Sequence, residues 1–187
     1  MDIYQVDAFC KGLFSGNLAA VCPLPAWPDD TFLQQIAAEN NLAETAFYVE
    51  DSTGFHIRWF TPKVEVDLCG HATLATAHVL FHHLGYNKDQ VLFTSRSGVL
   101  SVTRNGELLT LDFPVDVYAQ ISALPSMRDW LRKPPLEVYR GKTDYLFVYE
   151  DETDIRYAGE NLAAIALASH IKSMFSFRRD FFFLINS

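Results

Sequence analysis

A chain of 187 residues, 49% of them apolar, can build one large domain or two small ones around a real core. Its formal charge of −8, with Lys and Arg scattered and no continuous basic stripe, argues against nucleic acid or an anionic membrane surface as the main partner. A small molecule fits that balance better. Alternation from Ile3 to Ala8 reads as a strand, and Leu18 to Cys22 as a second one after the Lys11-Gly12 and Ser15-Gly16-Asn17 bend. Pro28, Asp29, Asp30 and Thr31 supply helix-start chemistry. Phe32, Leu33, Ile36 and Ala37 then share one face, which predicts a helix over Thr31 to Asn40 closed by Asn40-Asn41. Thr45 to Glu50 and Phe55 to Thr61 read as a hairpin turning through Asp51-Ser52-Thr53-Gly54. His71 to Leu84 is apolar or small almost all round, so it reads as a centrally buried helix, with Gly85 just past its last turn.

Val91 to Ser95, Val99 to Arg104 and Leu108 to Phe113 continue as a meander, the last two joined by Asn105-Gly106 and stopped by Pro114. A proline-bearing stretch around a short helical Ser126 to Leu131 leads to two more strands, Glu137 to Arg140 and Tyr145 to Glu150. Asn161 to Ser169 reads as a small-residue helix, whereas the ending MFSFRRDFFFLINS shows no capping or turn logic. The reading divides the chain into residues 1–115, with a central helix at 71–84, and residues 116–187.

Chemistry concentrates where a strand passes through Thr61-Pro62 and an acidic loop into a helix at Cys69-Gly70-His71. A helix start leaves backbone N–H groups without intrahelical partners and carries partial positive charge, and Gly70 would let an anion approach that backbone. The same sequence also suits an ordinary strand-loop-helix junction. Glu44 opens a strand directly after a helix, flanked by Leu42, Ala43 and Ala46; desolvation there would raise its pKa toward neutrality, as a proton shuttle requires, although a surface strand end is the simpler placement. His71 can bind a carboxylate, orient an acid or face water. Cys69 can be a thiol acid in the helix field or a small buried residue. Asn17 can offer an amide to a ligand or merely turn the chain. His78 and His82 have the spacing of a metal pair, but no acidic or cysteine ligand matches it and His71 lies about 10 Å along the axis, so no metal site is expected. Glu65 and Asp67 read as a solvated loop pair. Cys10, Cys22 and Cys69 are odd in number with no CxxC pair, which argues against a disulfide framework and structural zinc.

The motifs SGNLAAV, NLAETAF and RWFTPKVEVDLCGHATLATA together make the chain resemble the phenazine-biosynthesis PhzF-like family, relatives of diaminopimelate epimerase and proline racemase. The likeness is specific from Met1 to about Phe113 and weaker to about His170. It implies an α+β, diaminopimelate epimerase-like fold of two similar halves, each a curved mixed sheet wrapped around a central helix. It implies an isomerase that moves a proton between carbons of a small unsaturated or amino carboxylic acid by general acid/base catalysis, with no organic cofactor and no metal. Glu44 falls on the family's proton-shuttling glutamate. Gly70 and His71 fall on its substrate-holding pair, Asn17 on the asparagine lining the same cleft, and Cys69, in a secondary role, on the acid/base thiol of the racemase relatives.

Leu18 stands where the family motif has proline, a change of loop stiffness more than of chemistry. The family's GEDPVTGSAH-like segment in the second half has no match. The expectation is therefore a second half incomplete at its C-terminal end, with a tail that resembles out-of-frame sequence and with uncovered apolar surface prone to aggregation or to rescue by a partner chain. The alternative function is a non-catalytic product of a disrupted gene that binds a small acid or a partner protein. The resemblance also admits a homodimer. With no signal-peptide pattern and no apolar run near the roughly 20 residues of a membrane span, a cytoplasmic location is expected.

Overall fold

The structure is a computed structural model; it describes residues 1–10, 12, 15–115, 117–123, 131, 133–142, 144–151 and 153–155 in full, and residues 172–177 and 180–185 by their backbone. Two compact units result, Met1–Pro114 and Val115–Ser187.

The first unit is a mixed sheet. β1 (Tyr4–Ala8) pairs antiparallel with β2 (Asn17–Leu24), which runs parallel to β3 (Glu44–Asp51). β3 turns antiparallel into β4 (Gly54–Phe60), which pairs with the two-residue β5 (Glu65–Val66) and, in parallel, with β6 (Gln90–Ser95). β7 (Gly98–Asn105) and β8 (Leu108–Asp112) complete the meander. Each parallel pair needs a crossover, and each has a helix: α1 (Asp30–Asn40) joins β2 to β3, and α2 (Gly70–His82) lies between β4 and β6. Both crossovers step in the same direction across the sheet, while the strand direction reverses at the β3–β4 hairpin. The right-handed rule for such connections then puts the two helices on opposite faces.

The packing follows that arrangement. Leu33 and Ala37 of α1 bury against Cys22, Phe47 and Phe60 on one face. Alternate residues of the same strands, among them Ala19, Ala46, Tyr48 and Trp59, face α2 on the other. Strands from both ends of the sheet, β1 and β8, touch α2, so the sheet curls around it. A helix enclosed this way must be apolar all round and slim. Ala72, Ala75 and Ala77 meet that need, and the buried Thr73 and Thr76 hydroxyls donate to the carbonyls of Cys69 and Ala72 within the helix.

Helix α1 starts one residue earlier than expected: Asp29 Oδ1 accepts from Thr31 N at 2.8 Å as its cap. It ends as expected at Asn41, which takes the left-handed conformation at φ 50°. Helix α2 ends at His82, two residues short of the expected Leu84, with Gly85 at φ 68° after it. The turn between β7 and β8 is made by Gly106 and Glu107, with Asn105 still in the strand paired to Leu108.

Glu65 corrects a reading from sequence. It belongs to β5, and its two carboxylate oxygens accept from Arg58 Nε and Nη2 at 2.7 and 2.9 Å, while Arg96 lies 2.7 Å away. The Arg58 guanidinium also stands 5.2 Å from the Trp27 ring centroid and 5.1 Å from that of Phe60. Long-range partners turn an acidic loop into a strand.

The second unit is a sheet in the order β13-β12-β11-β10-β9, with β9 at Ala119–Ile121, β10 at Glu137–Arg140, β11 at Asp144–Tyr149, β12 at Lys172–Phe177 and β13 at Asp180–Ile185. β11 and β12 are parallel and the other neighbours antiparallel. Tyr145, Phe147 and Tyr149 bury one side of β11, and Lys133 Nζ reaches Asp154 at 2.6 Å. The ending that shows no structural logic in sequence is thus an antiparallel strand pair, and β9 was also missed. The helices expected at 126–131 and 161–169 lie outside the described residues, Leu131 excepted. Among the described residues no helix is long and apolar enough to cross a membrane.

Candidate active site

The β2–β3 register sets Ala19 opposite Glu44, so Glu44 shares the α2-facing side with Ala19, Ala46 and Tyr48. Asn40 Nδ2 donates to Thr45 Oγ1 at 3.2 Å, tying the end of α1 to the start of β3. At only 5% exposed, Glu44 is a buried carboxyl and not a surface strand end. Cys69 is the α2 N-cap in extended conformation at φ −148°, and no side chain caps the helix there. The first-turn N–H groups therefore keep the anion-attracting character of an uncapped start.

These elements bring Glu44, Cys69 and His71 together, with one ligand atom of each within 4.8 Å of the others. His71 Nε2 stands 3.2 Å from Glu44 Oε2, and His71 Nδ1 stands 3.4 Å from Cys69 Sγ. The imidazole is therefore placed between a carboxyl and a thiol. Nε2 is buried and, despite the short approach, is not aligned for a hydrogen bond. Burial pushes the His71 pKa down to about 4, so the ring is neutral at pH 7. The same atoms are zinc-type donors, but the carboxyl and the thiol use different ring nitrogens. One ion on either nitrogen would require the other donor to swing around the ring.

Asn17 opens β2 two residues before Ala19, which puts it on the Glu44 side of the sheet, half-buried. Gly16 before it is held at φ 109°, and a Cβ there would meet Ala8 O at 2.6 Å, so only glycine fits. Packing also calls for glycine at Gly70. Its φ is ordinary, and a Cβ at this position would meet the Phe113 ring at 2.9 Å. Phe113 thus packs against the side of Gly70 where a side chain would project. No sequence signal marks this residue, which reads only as the last position of a strand before Pro114. His78 lies close to two other rings, with centroids 4.5 Å from His82 and 5.7 Å from His83. Among the described residues, no group of three metal donors includes any of these three histidines.

A curled mixed sheet around a buried helix, with a carboxyl, an imidazole and a thiol gathered at the helix start, defines an epimerase-like fold carrying an acid/base cluster. The chain belongs to the family described as phenazine biosynthesis-like protein, PhzC-PhzF, whose profile matches residues 6–154. It is 48% identical over 165 residues to a protein of Pseudomonas aeruginosa named an uncharacterized isomerase, covering 88% of this chain and 63% of that protein. A crystal structure of a phenazine biosynthesis PhzF family protein from Enterococcus faecalis superposes with TM-score 0.80 at 41% identity, covering 95% of this chain and 69% of that one. One from Clostridium difficile gives 0.77 at 36%, covering 94% and 68%. The chain spans less than two thirds of the length of the curated relatives it matches first, from 62% to 64%.

Proposed function

We propose that the protein is a proton-transfer isomerase acting on a small unsaturated or amino carboxylic acid, with Glu44 as the group that removes and returns the proton. The observation that carries this reading is the buried carboxyl of Glu44 held beside a neutral imidazole at the uncapped start of α2. A substrate carboxylate set against that helix start meets N–H donors and partial positive charge. Removal of a proton from the adjoining carbon delocalises negative charge onto that carboxylate, where the same donors stabilise it. Glu44 then delivers the proton on the same face to a conjugated carbon further along, which gives double-bond migration; epimerisation would need a second acid on the opposite face. His71 limits the swing of the Glu44 carboxyl, and Asn17 adds a polar contact on the same side of the sheet. The scheme calls on no organic cofactor. Relatives that carry the word isomerase in their names support the reaction class and leave the acid unspecified.

The test is a panel of α-amino and α,β-unsaturated carboxylic acids incubated with the protein in deuterium oxide. Enzyme-dependent gain of one mass unit at carbon in at least one acid supports the proposal. Acids that bind without any gain would favour a binding protein instead.

A further inference from the structure

We propose that Phe113 sets specificity at the candidate active site: its ring walls the start of α2 beside the bound carboxylate and selects acids whose body is flat and apolar. Gly70 is the first residue of α2, and the Cα–Cβ direction of a helical residue tilts back toward the helix N-terminus. A Cβ there would meet Phe113 Cζ at 2.9 Å and Cε2 at 3.0 Å, with Leu111 Cδ2 at 3.9 Å. The ring therefore stands at the rim of the helix start and not further down its side. Thr73 N donates to Cys69 O at 3.3 Å, so the N–H groups of Gly70, His71 and Ala72 precede that bond. His71 Nε2, buried and without a hydrogen-bond partner among the described residues, lies in the cluster at the same end. Polar donors and an aromatic ring thus meet at one place, as in sites that fix an acid group and sort its remainder.

Phe113 follows β8 directly, and Leu109 and Leu111 of that strand pack with it against the core around α2, which holds the ring in position. Both Gly70 and Phe113 are only half-buried, so each keeps surface for a ligand. A carboxylate on the N–H groups leaves its α and β carbons to extend past this rim. A planar conjugated or aromatic substituent there offers a face or an edge to the Phe113 ring. A short aliphatic substituent buries less apolar area and has no ring to pair.

The probes are crotonate and cinnamate, which share a trans α,β-unsaturated carboxylate and differ by a methyl or a phenyl group on the β carbon. Their affinities for the native 187-residue chain are read by ligand-observed NMR titration. Cinnamate is expected to bind at least about tenfold more tightly than crotonate. In a Phe113→Leu variant with native circular dichroism, that ratio is expected to fall by at least about threefold, while crotonate affinity changes by less than about twofold. Equal affinities in wild type, or an unchanged ratio in the folded variant, would overturn the proposal, and the wild-type comparison needs no variant. The proposal rests on the acid-binding reading of the α2 start. Failure of both acids to bind would strike that reading and the proposal together, whereas equal binding of the two would strike the role of Phe113 alone. Binding needs no turnover, so these results are separate from isotope exchange.

Discussion

His71 shows how burial sets chemistry at a single residue. Its ring is depressed to about 4 in the folded chain against an ordinary value near 6.5, so between these values the unfolded state binds more protons. Stability should therefore fall as pH drops from about 6.5 to 4, by up to ~3 kcal/mol at 1.36 kcal/mol per pKa unit. Glu44 and Cys69 are the titratable groups facing the ring, and a charged Glu44 carboxylate would reduce that slope. Urea midpoints of wild type and His71→Gln between pH 4 and 7 check this; the variant should show the flatter profile. Gly70 gives a second prediction. The added methyl of Gly70→Ala pushes on the Phe113 ring at 2.9 Å, which should cost about 1–2 kcal/mol, and Phe113→Leu in the same chain should recover part of it. Additive effects in the double variant would show that ring and glycine do not touch. The motifs bring Glu44, Cys69 and His71 forward from sequence because each sits at an element junction. The order carboxyl, imidazole, thiol was not legible, since it depends on the β2–β3 register and on the depth of α2 inside the sheet.

Elements with strong local signals were read closely. Alternation marks β1 to β4, and Asp29 and Asn41 bracket α1 by capping chemistry that acts within a few residues. Because Asn41 holds φ 50°, Asn41→Gly should leave stability unchanged or slightly raised, while Asn41→Ala should lower it by about 1 kcal/mol in urea unfolding. What escaped reading depends on distant partners. β5 exists because Arg58 and Arg96 gather Glu65 from elsewhere in the chain, and the final strand pair joins a sheet through parallel pairing with β11. Arg58 and Glu65 side chains are only 12% and 13% exposed. Glu65→Ala should therefore cost up to about 3 kcal/mol by leaving the buried guanidinium with only its exposed partner Asp30. Asp30→Ala, which removes an exposed partner of the same arginine, should cost far less. Equal midpoints for the two variants would contradict this account of β5.

For the whole molecule, the reversal of strand direction at the β3–β4 hairpin places α1 outside the curl and α2 inside it. Enclosing α2 brings its uncapped start against the first residue of β3, and the acid/base cluster follows from that one placement. Composition argues for a small-molecule partner, but it could not show this enclosure, because each strand has two faces and only tertiary packing assigns them. The role of Glu44 is read most directly from the rate of deuterium wash-in to a turned-over acid by Glu44→Gln beside wild type, with native circular dichroism required of both. Exchange by Glu44→Gln should be slower by at least about 10²-fold, the usual weight of a positioned acid/base group. Equal rates in the two proteins would contradict it and move the proton transfer to another residue.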